Sequence, residues 1–206
     1  MEKIRKSDAA GHSFLEKEQS MITGSVTYDA AAVRKMEKVR FQTFNFLISA
    51  ARILCGVIMV VCGCFIGGGT GTLLVAFGCI LTVSNDITGR WRADQTAKAL
   101  QGGSITVRYE FYEDSFLSIT DKPLTCTYHD LILLMEDSQY YYLYPNEYQV
   151  YLVAVDSVKS GDREILKNLL TDKTGLTWLR PLSLLTANLK TIIQFQKAVS
   201  AGRKKK

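Results

Sequence analysis

The 33 residues from 53 through 85 carry no charged side chain. Gly67-Gly68-Gly69-Thr70-Gly71 interrupts that run near its middle. One membrane-spanning helix needs about 20 apolar residues, and two need about 40. The run is too long for one straight helix and slightly short for two. It reads as a helical hairpin in a membrane, spanning 41–88, with the turn at 67–71 made by Gly67, Gly68, Gly69 and Gly71.

Charge predicts the orientation. Arg34, Lys35, Lys38 and Arg40 precede the hairpin, and Arg90, Arg92 and Lys98 follow it. The glycine turn has no charge, so the positive-inside rule keeps both ends in the cytoplasm. The expectation is a cell-membrane protein of two spans with cytoplasmic N- and C-termini. The first 40 residues are too long and polar for the start of a signal peptide, and no cleavage pattern follows the run, so the hairpin is expected to be retained.

Arg52 and Asp86 each lie 17 residues from Gly69. The uncharged halves, Ile53 to Ile66 and Thr72 to Ser84, rise about 21 Å and about 20 Å, short of a core of about 30 Å. Extending the first helix back through Phe44, Phe46, Leu47 and Ile48 places Arg52 inside the leaflet. There it either snorkels alone or approaches Asp86 across the hairpin. Gly56, Gly63 and Gly78 permit close packing, of the hairpin on itself or on a second copy as a homodimer.

The glycine run also resembles the phosphate loop of tubulin-like GTPases. That chemistry needs a cytoplasmic strand-loop-helix context, and no Lys follows the glycines. A membrane turn explains the same residues. Of five cysteines, Cys55, Cys62, Cys64 and Cys79 fall in the hairpin, and only Cys126 lies outside. They read as soft apolar side chains, not a disulfide framework or metal site.

From Ser104 the periodicity becomes two. Ile105, Val107, Tyr109 and Phe111 alternate with Thr106, Arg108 and Glu110, as in a half-buried strand. Further strands are predicted at Phe116–Thr120, Leu124–Tyr128, Leu131–Glu136, Gln139–Tyr144 and Tyr148–Val155, joined by tight turns as an antiparallel meander. Ser160, Asp162 and Glu164 mark a helix start, Ile165, Leu166, Leu169 and Leu170 form its apolar face, and Gly175 stops it. The segment Ile22–Tyr28 precedes the hairpin yet has strand character and is expected to join the later sheet.

This order resembles a pleckstrin-homology-like (PH-like) domain. The whole arrangement is similar to the YcxB-like family of bacterial membrane proteins over about 21–172. The resemblance lies in a short strand and acidic helix start (Ile22 to Arg40), the hairpin, a basic linker, and the segments VRYEFYEDSFLSIT, YHDLILLMEDSQYYYLY and VYLVAVDSVKSGDREILKNLL. Val155-Asp156 stands where the family carries Pro-Lys. The resemblance implies an α+β membrane protein: a two-helix transmembrane hairpin plus an antiparallel PH-like β domain with a C-terminal helix. The expected division is a flexible N-terminus at 1–20, a strand and helix start at 21–40, the hairpin at 41–88, a basic linker at 89–103, the PH-like domain at 104–175, and an amphipathic helix and basic tail at 176–206.

In that tail Leu182, Leu185, Leu189, Ile192 and Ile193 form one helical stripe, behind Trp178 and ahead of Arg203, Lys204, Lys205 and Lys206. Such a helix suits an anionic membrane surface or packs on the protein itself. On β strands Tyr140, Tyr142 and Tyr144 face one side and Tyr141 the other. Tyr141, Trp178 and the four terminal cations are therefore candidates for a partner or lipid surface.

His129-Asp130 is not a dyad, because successive strand residues face opposite sides. No nucleophile or ligand cluster surrounds it. The chain reads as non-enzymatic, with no catalytic, cofactor or metal residues. Its net charge of +5, without base-stacking motifs, gives no expectation of nucleic acid as a partner. The function expected is a hairpin tethering a cytoplasmic binding or regulatory module to the lipid bilayer, with an unidentified protein partner. The alternative is a structural subunit that uses the hairpin as its interaction surface in a larger membrane complex.

Overall fold

The computed structural model describes residues 21–100, 102–120, 122–182 and 189–204, apart from the side chains of 85–89, 99, 189 and 203–204. The expected flexible segment 1–20 and the side chains of Asp86, Arg203 and Lys204 lie outside the described residues, as do Lys205 and Lys206 entirely. The fold is mixed α+β, with antiparallel sheets and a C-terminal helix. Two compact units divide the chain. One comprises the residues up to Val26 with Thr106–Asn146 and Tyr151–Leu179; the other comprises Thr27–Ile105, Glu147–Val150 and Arg180–Lys206.

The first unit contains two four-stranded sheets. β1 (Ile22–Tyr28), β2 (Ile105–Phe111), β3 (Ser115–Ile119) and β4 (Leu124–Thr127) lie in that order. The second sheet runs β7 (Tyr151–Ala154), β6 (Tyr140–Tyr144), β5 (Leu133–Glu136) and β8 (Trp178–Leu179). The expected meander is present in two parts, one in each sheet: β2–β3 and β3–β4 pair antiparallel, as do β5–β6 and β6–β7, and the run divides between β4 and β5. β8 departs from it by pairing parallel to β5. β1 joins the sheet of β2, as its pattern predicts, and Met21 N donates to Phe111 O at 2.9 Å. Its other side is tied to the 3-10 turn after β7: Ser25 N donates to Ser157 Oγ at 2.8 Å. Gly24 allows that approach, since a Cβ there would lie 2.7 Å from Val153 Cγ1.

Phe116 centres the aromatic core. Its ring lies 5.6 Å from Phe111, 6.1 Å from Tyr109, 6.3 Å from Tyr128 and 5.0 Å from Tyr151. Tyr151 belongs to the second sheet, so these contacts join the two sheets. Such pairs add about 0.5–1.5 kcal/mol each beyond area burial. One helix, α4 (Ser160–Thr174), closes the unit with Leu166, Leu170 and Thr174 buried. Gly175 ends it in the left-handed conformation at φ 66, as its position suggested. The helix opens at Ser160, as the sequence suggests. One expectation fails here: Ile165 is exposed rather than on the apolar face. The face turns because burial follows the 166–170–174 line.

The second unit holds α1 (Ala30–Phe44), α2 (Phe46–Ile66), α3 (Gly68–Ala99) and α5 (Leu189–Lys204). Asp29 caps α1, accepting from Ala32 N at 2.7 Å. The chain breaks at Asn45, which interrupts the helix expected to run back through Phe44. The turn is shorter than 67–71: only Gly67 lies between the helices, while Gly68, Gly69 and Gly71 are helical. Gly67 and Gly68 both have positive φ, 64 and 62, so two residues reverse the chain where five were expected. The linker at 89–103 is likewise mostly helix, because α3 continues to Ala99. No Pro interrupts that stretch, and Arg34 to Asp94 ties it to α1 at 2.8 Å.

Burial pushes the Tyr128 and Tyr142 phenols above the ordinary range. Desolvation is the leading cause in each, reinforced by the charge of Asp114 at Tyr128 and by the hydrogen bond to Asp137 at Tyr142. The raised pKa favours the neutral phenol in the fold, so stability is complete below the ordinary phenol pKa and declines as pH rises through it. The urea midpoint of the full chain in detergent is expected to be flat up to about pH 9 and to fall beyond about pH 10. Tyr128→Phe with Tyr142→Phe should flatten that fall.

Candidate functional site

α2 and the first half of α3 pack through glycine. A Cβ at Gly63 would lie 2.6 Å from Gly71 O, and one at Gly56 would lie 2.8 Å from Gly78 O. The relation is reciprocal, since a Cβ at Gly78 would lie 2.5 Å from Gly56 O. Both pairs are seven residues apart along each helix, which keeps them on one facing stripe. The glycines expected to support close packing are thus occupied inside the hairpin. The hydroxyls of Thr72 and Thr82 return to the helix carbonyls of Gly68 and Gly78 at 3.0 and 2.9 Å.

The outer faces are the reverse of a water-soluble helix. In α2 only Gly56 and Gly63 are buried. Leu54, Ile58, Phe65, Leu73, Phe77 and Ile80 are exposed, Phe65 by 87%. Phe46–Ile66 passes the length and hydropathy criteria for a membrane span, whereas Gly68–Ser84 is apolar but shorter. The four hairpin cysteines are exposed on this surface, and Cys126 is buried. Arg52 is exposed on α2. The expected Arg52–Asp86 contact lies outside the described residues, because it requires the Asp86 side chain.

Past the apolar stretch the hairpin acquires a basic collar. Arg34 and Lys38 on α1 and Arg90 on α3 line a cleft of ≈ 300 Å³ together with Phe41, Gln42, Ala93 and Asp94. A neighbouring cleft of ≈ 140 Å³ is lined by Glu37, Arg40, Arg92 and Glu147, among others. In it Arg40 Nη2 meets the buried Glu37 carboxylate at 2.5 Å, and Arg40 Nη1 donates to Tyr148 O at 2.7 Å. Trp91 is 61% exposed between Arg90 and Arg92. A tryptophan flanked by arginines just past an uncharged run is a sequence signal for an interfacial anchor, and it points to Trp91 instead of Trp178.

Trp178 and Tyr141 do not form an open surface. Trp178 is a strand residue whose Nε1 donates to Lys167 O at 3.2 Å. Its ring lies 5.4 Å from Tyr141, which is 4% exposed. Lys167 Nζ stands 6.0 Å above the Trp178 ring and 2.9 Å from Glu136. The hydrogen bond that Lys167 donates to Glu136 holds its pKa above the ordinary lysine range. Alternation failed to separate an open from a closed face on β6 because Tyr141, Tyr142, Leu143 and Tyr144 are all buried.

On α5 Phe195, Val199 and Gly202 are buried; of the expected stripe, Leu185 and the Leu189 side chain lie outside the described residues, and Ile192 is half-buried. Ile193 is 47% exposed. With Ile192, Gln196 and Leu47 of α2 it lines a shallow groove at the base of the hairpin. His129 and Asp130 fall in a 3-10 turn, where Asp130 Oδ2 accepts from Thr127 at 2.6 Å. No group of three or more His, Cys, Asp or Glu positioned for a metal occurs among the described residues. Comparison with known proteins finds no matching family model, curated protein or solved structure.

Gly63→Val forces a side chain into the Gly71 carbonyl. It should lower the unfolding temperature of the purified protein in detergent, at a cost of about 2 kcal/mol. Phe65→Leu, on the outer face, should leave it unchanged. Trp178→Ala should cost about 3 kcal/mol by thermal unfolding, the lower end for a large side chain that is only partly buried. It should leave the protein in the membrane fraction.

Proposed function

We propose that the chain is a non-enzymatic bacterial membrane protein of the YcxB-like type. Its hairpin, α2 with the first part of α3, crosses the bilayer and tethers a PH-like binding or regulatory module at the cytoplasmic face. The observation that carries this reading is the distribution of side chains on the hairpin: glycines face inward and large apolar side chains face outward. In water such a sleeve is an aggregation hazard; in lipid it is the ordinary arrangement.

Dimensions support the same reading. The 21 residues of α2 rise about 31 Å, matching a hydrocarbon core of about 30 Å. α3 needs its first 20 residues to do so, which brings it to Ile87, just before Arg90. The hairpin leaves from β1 and returns to β2, adjacent strands of one sheet, which supports a reading with both ends on one membrane side. Arg34, Lys35, Lys38, Arg40, Arg90, Arg92 and Lys98 favour the cytoplasmic side. Two antiparallel sheets followed by a closing helix support the PH-like assignment. A homodimer, in this reading, would use the outer apolar faces and not the glycines.

Cysteine labelling tests the topology. In a cysteine-free background, Thr70→Cys at the hairpin tip should react with a membrane-impermeant maleimide in intact cells. Ser104→Cys, beyond α3, should react only after permeabilisation. Protection of both positions until permeabilisation would rule out a hairpin that spans the bilayer.

A further inference from the structure

The C-terminal helix α5 carries charge of one sign. Residues 189–204 include Lys190, Lys197, Arg203 and Lys204 and contain no Asp or Glu. Lys190 and Lys197 are both exposed, and neither has an ion pair or hydrogen bond among the described residues. Ile193 lies between them and is 47% exposed. Intervals of three and four residues put Lys190, Ile193 and Lys197 on one helix face. Another face is already occupied, since Phe195 and Val199 are buried. So α5 is seated against the protein along one line and presents an apolar residue between two lysines along another.

The groove at the base of the hairpin fixes where that second line lies. Leu47 of α2 lines it with Ile192, Ile193 and Ala201 of α5, and among the described residues Lys197 is the one charged residue on its wall. Leu47 is the second residue of α2 and is exposed, so the groove opens onto the outward apolar face of the hairpin. α2 rises about 31 Å against a hydrocarbon core of about 30 Å, which puts Leu47 at the cytoplasmic edge of that core. The groove face of α5 then lies at headgroup level. There a lysine stem covers apolar surface while its ammonium stays in the polar layer. A freely diffusing phosphate has no use for Leu47 and Ile193, whereas a lipid fills the apolar wall and meets the lysines at once. We infer that the groove between α2 and α5 seats an anionic phospholipid. The upper part of an acyl chain lies against Leu47 and Ile193, and the phosphate accepts charge-assisted hydrogen bonds from Lys197 and Lys190. The inference rests on the membrane-hairpin reading. It gives α5 both roles that its sequence allowed, packed on the protein by one face and on an anionic surface by another.

The test uses the full-length, cysteine-free chain reconstituted in phosphatidylcholine vesicles, with a fluorophore on Ser200→Cys at the groove wall. Phosphatidylglycerol or phosphatidylcholine bearing a nitroxide on its acyl chain is added, and quenching is read. The phosphatidylglycerol should reach half-quenching at a mole fraction about fivefold lower, as surface lysines attract anionic lipid. Lys190→Gln with Lys197→Gln should abolish that preference yet keep the quenching by phosphatidylcholine, which shows α5 still at the bilayer. Lys98→Gln with Lys122→Gln removes the same charge away from α5 and should keep the preference. Equal quenching by both lipids in the labelled parent, or equal loss of preference in both double variants, overturns the inference. Removal of the preference by soluble glycerol phosphate overturns the lipid assignment in favour of a free anion. A second label, on Phe65→Cys of α2, separates the two readings. Quenching there with none at Ser200→Cys overturns this inference alone; quenching at neither position takes down the membrane hairpin, and this inference with it.

Discussion

The placement of β1 beside β2 governs the architecture. Residues 29–104 separate them in the chain, yet they are neighbours in one sheet. Unpaired strand groups are costly when buried, so β1 needs an edge to complete. Closing a long loop costs only slightly more than closing a short one, so 76 intervening residues do not prevent it. β1 also holds the turn after β7 through Ser25 and Ser157, and Gly24 removes the side chain that would keep Val153 away. The helices are therefore an insertion within a β domain, not a leader attached to its front.

The inserted helices obey a different packing logic from the sheets. In the β unit large aromatics fill the interior, with Phe116 against four other rings. In the hairpin the interior is glycine backbone, and the bulk faces outward. Close backbone approach supplies dispersion contact where burial of apolar side chains is not the driving force. The hydroxyls of Thr72 and Thr82 return to carbonyls of their own helix and so present no unpaired polar group.

Much of the β domain was legible because its local signals are strong. Ile22–Tyr28 and Ile105–Phe111 match the observed strands, and the others differ by a few residues at the ends. Gly175 stops its helix for the reason its residue type suggests. The site residues were less legible. Tyr141 and Trp178 read as a surface because aromatic composition says nothing about what lies above a strand. Here Trp178 enters the sheet as β8 and covers Tyr141. The glycine run read as a long turn because glycine is a poor helix former, but α3 begins at Gly68 and its packing against α2 overrides that propensity. The basic collar was visible only as flanking charge.

The sequence alone determined the apolar helix pair, the positive charges that flank it, and the alternation that makes most of the strands. These depend on neighbours within a few residues, through helical rise, charge and strand period. Tertiary structure alone decided that Gly63 meets Gly71 and Gly56 meets Gly78. It also decided that Trp178 is a strand residue, and that Lys38 and Arg90, 52 positions apart, line one cleft together with the paired Arg34 and Asp94. Those outcomes depend on which surfaces of separate elements meet, and a linear pattern of residue types does not encode that pairing.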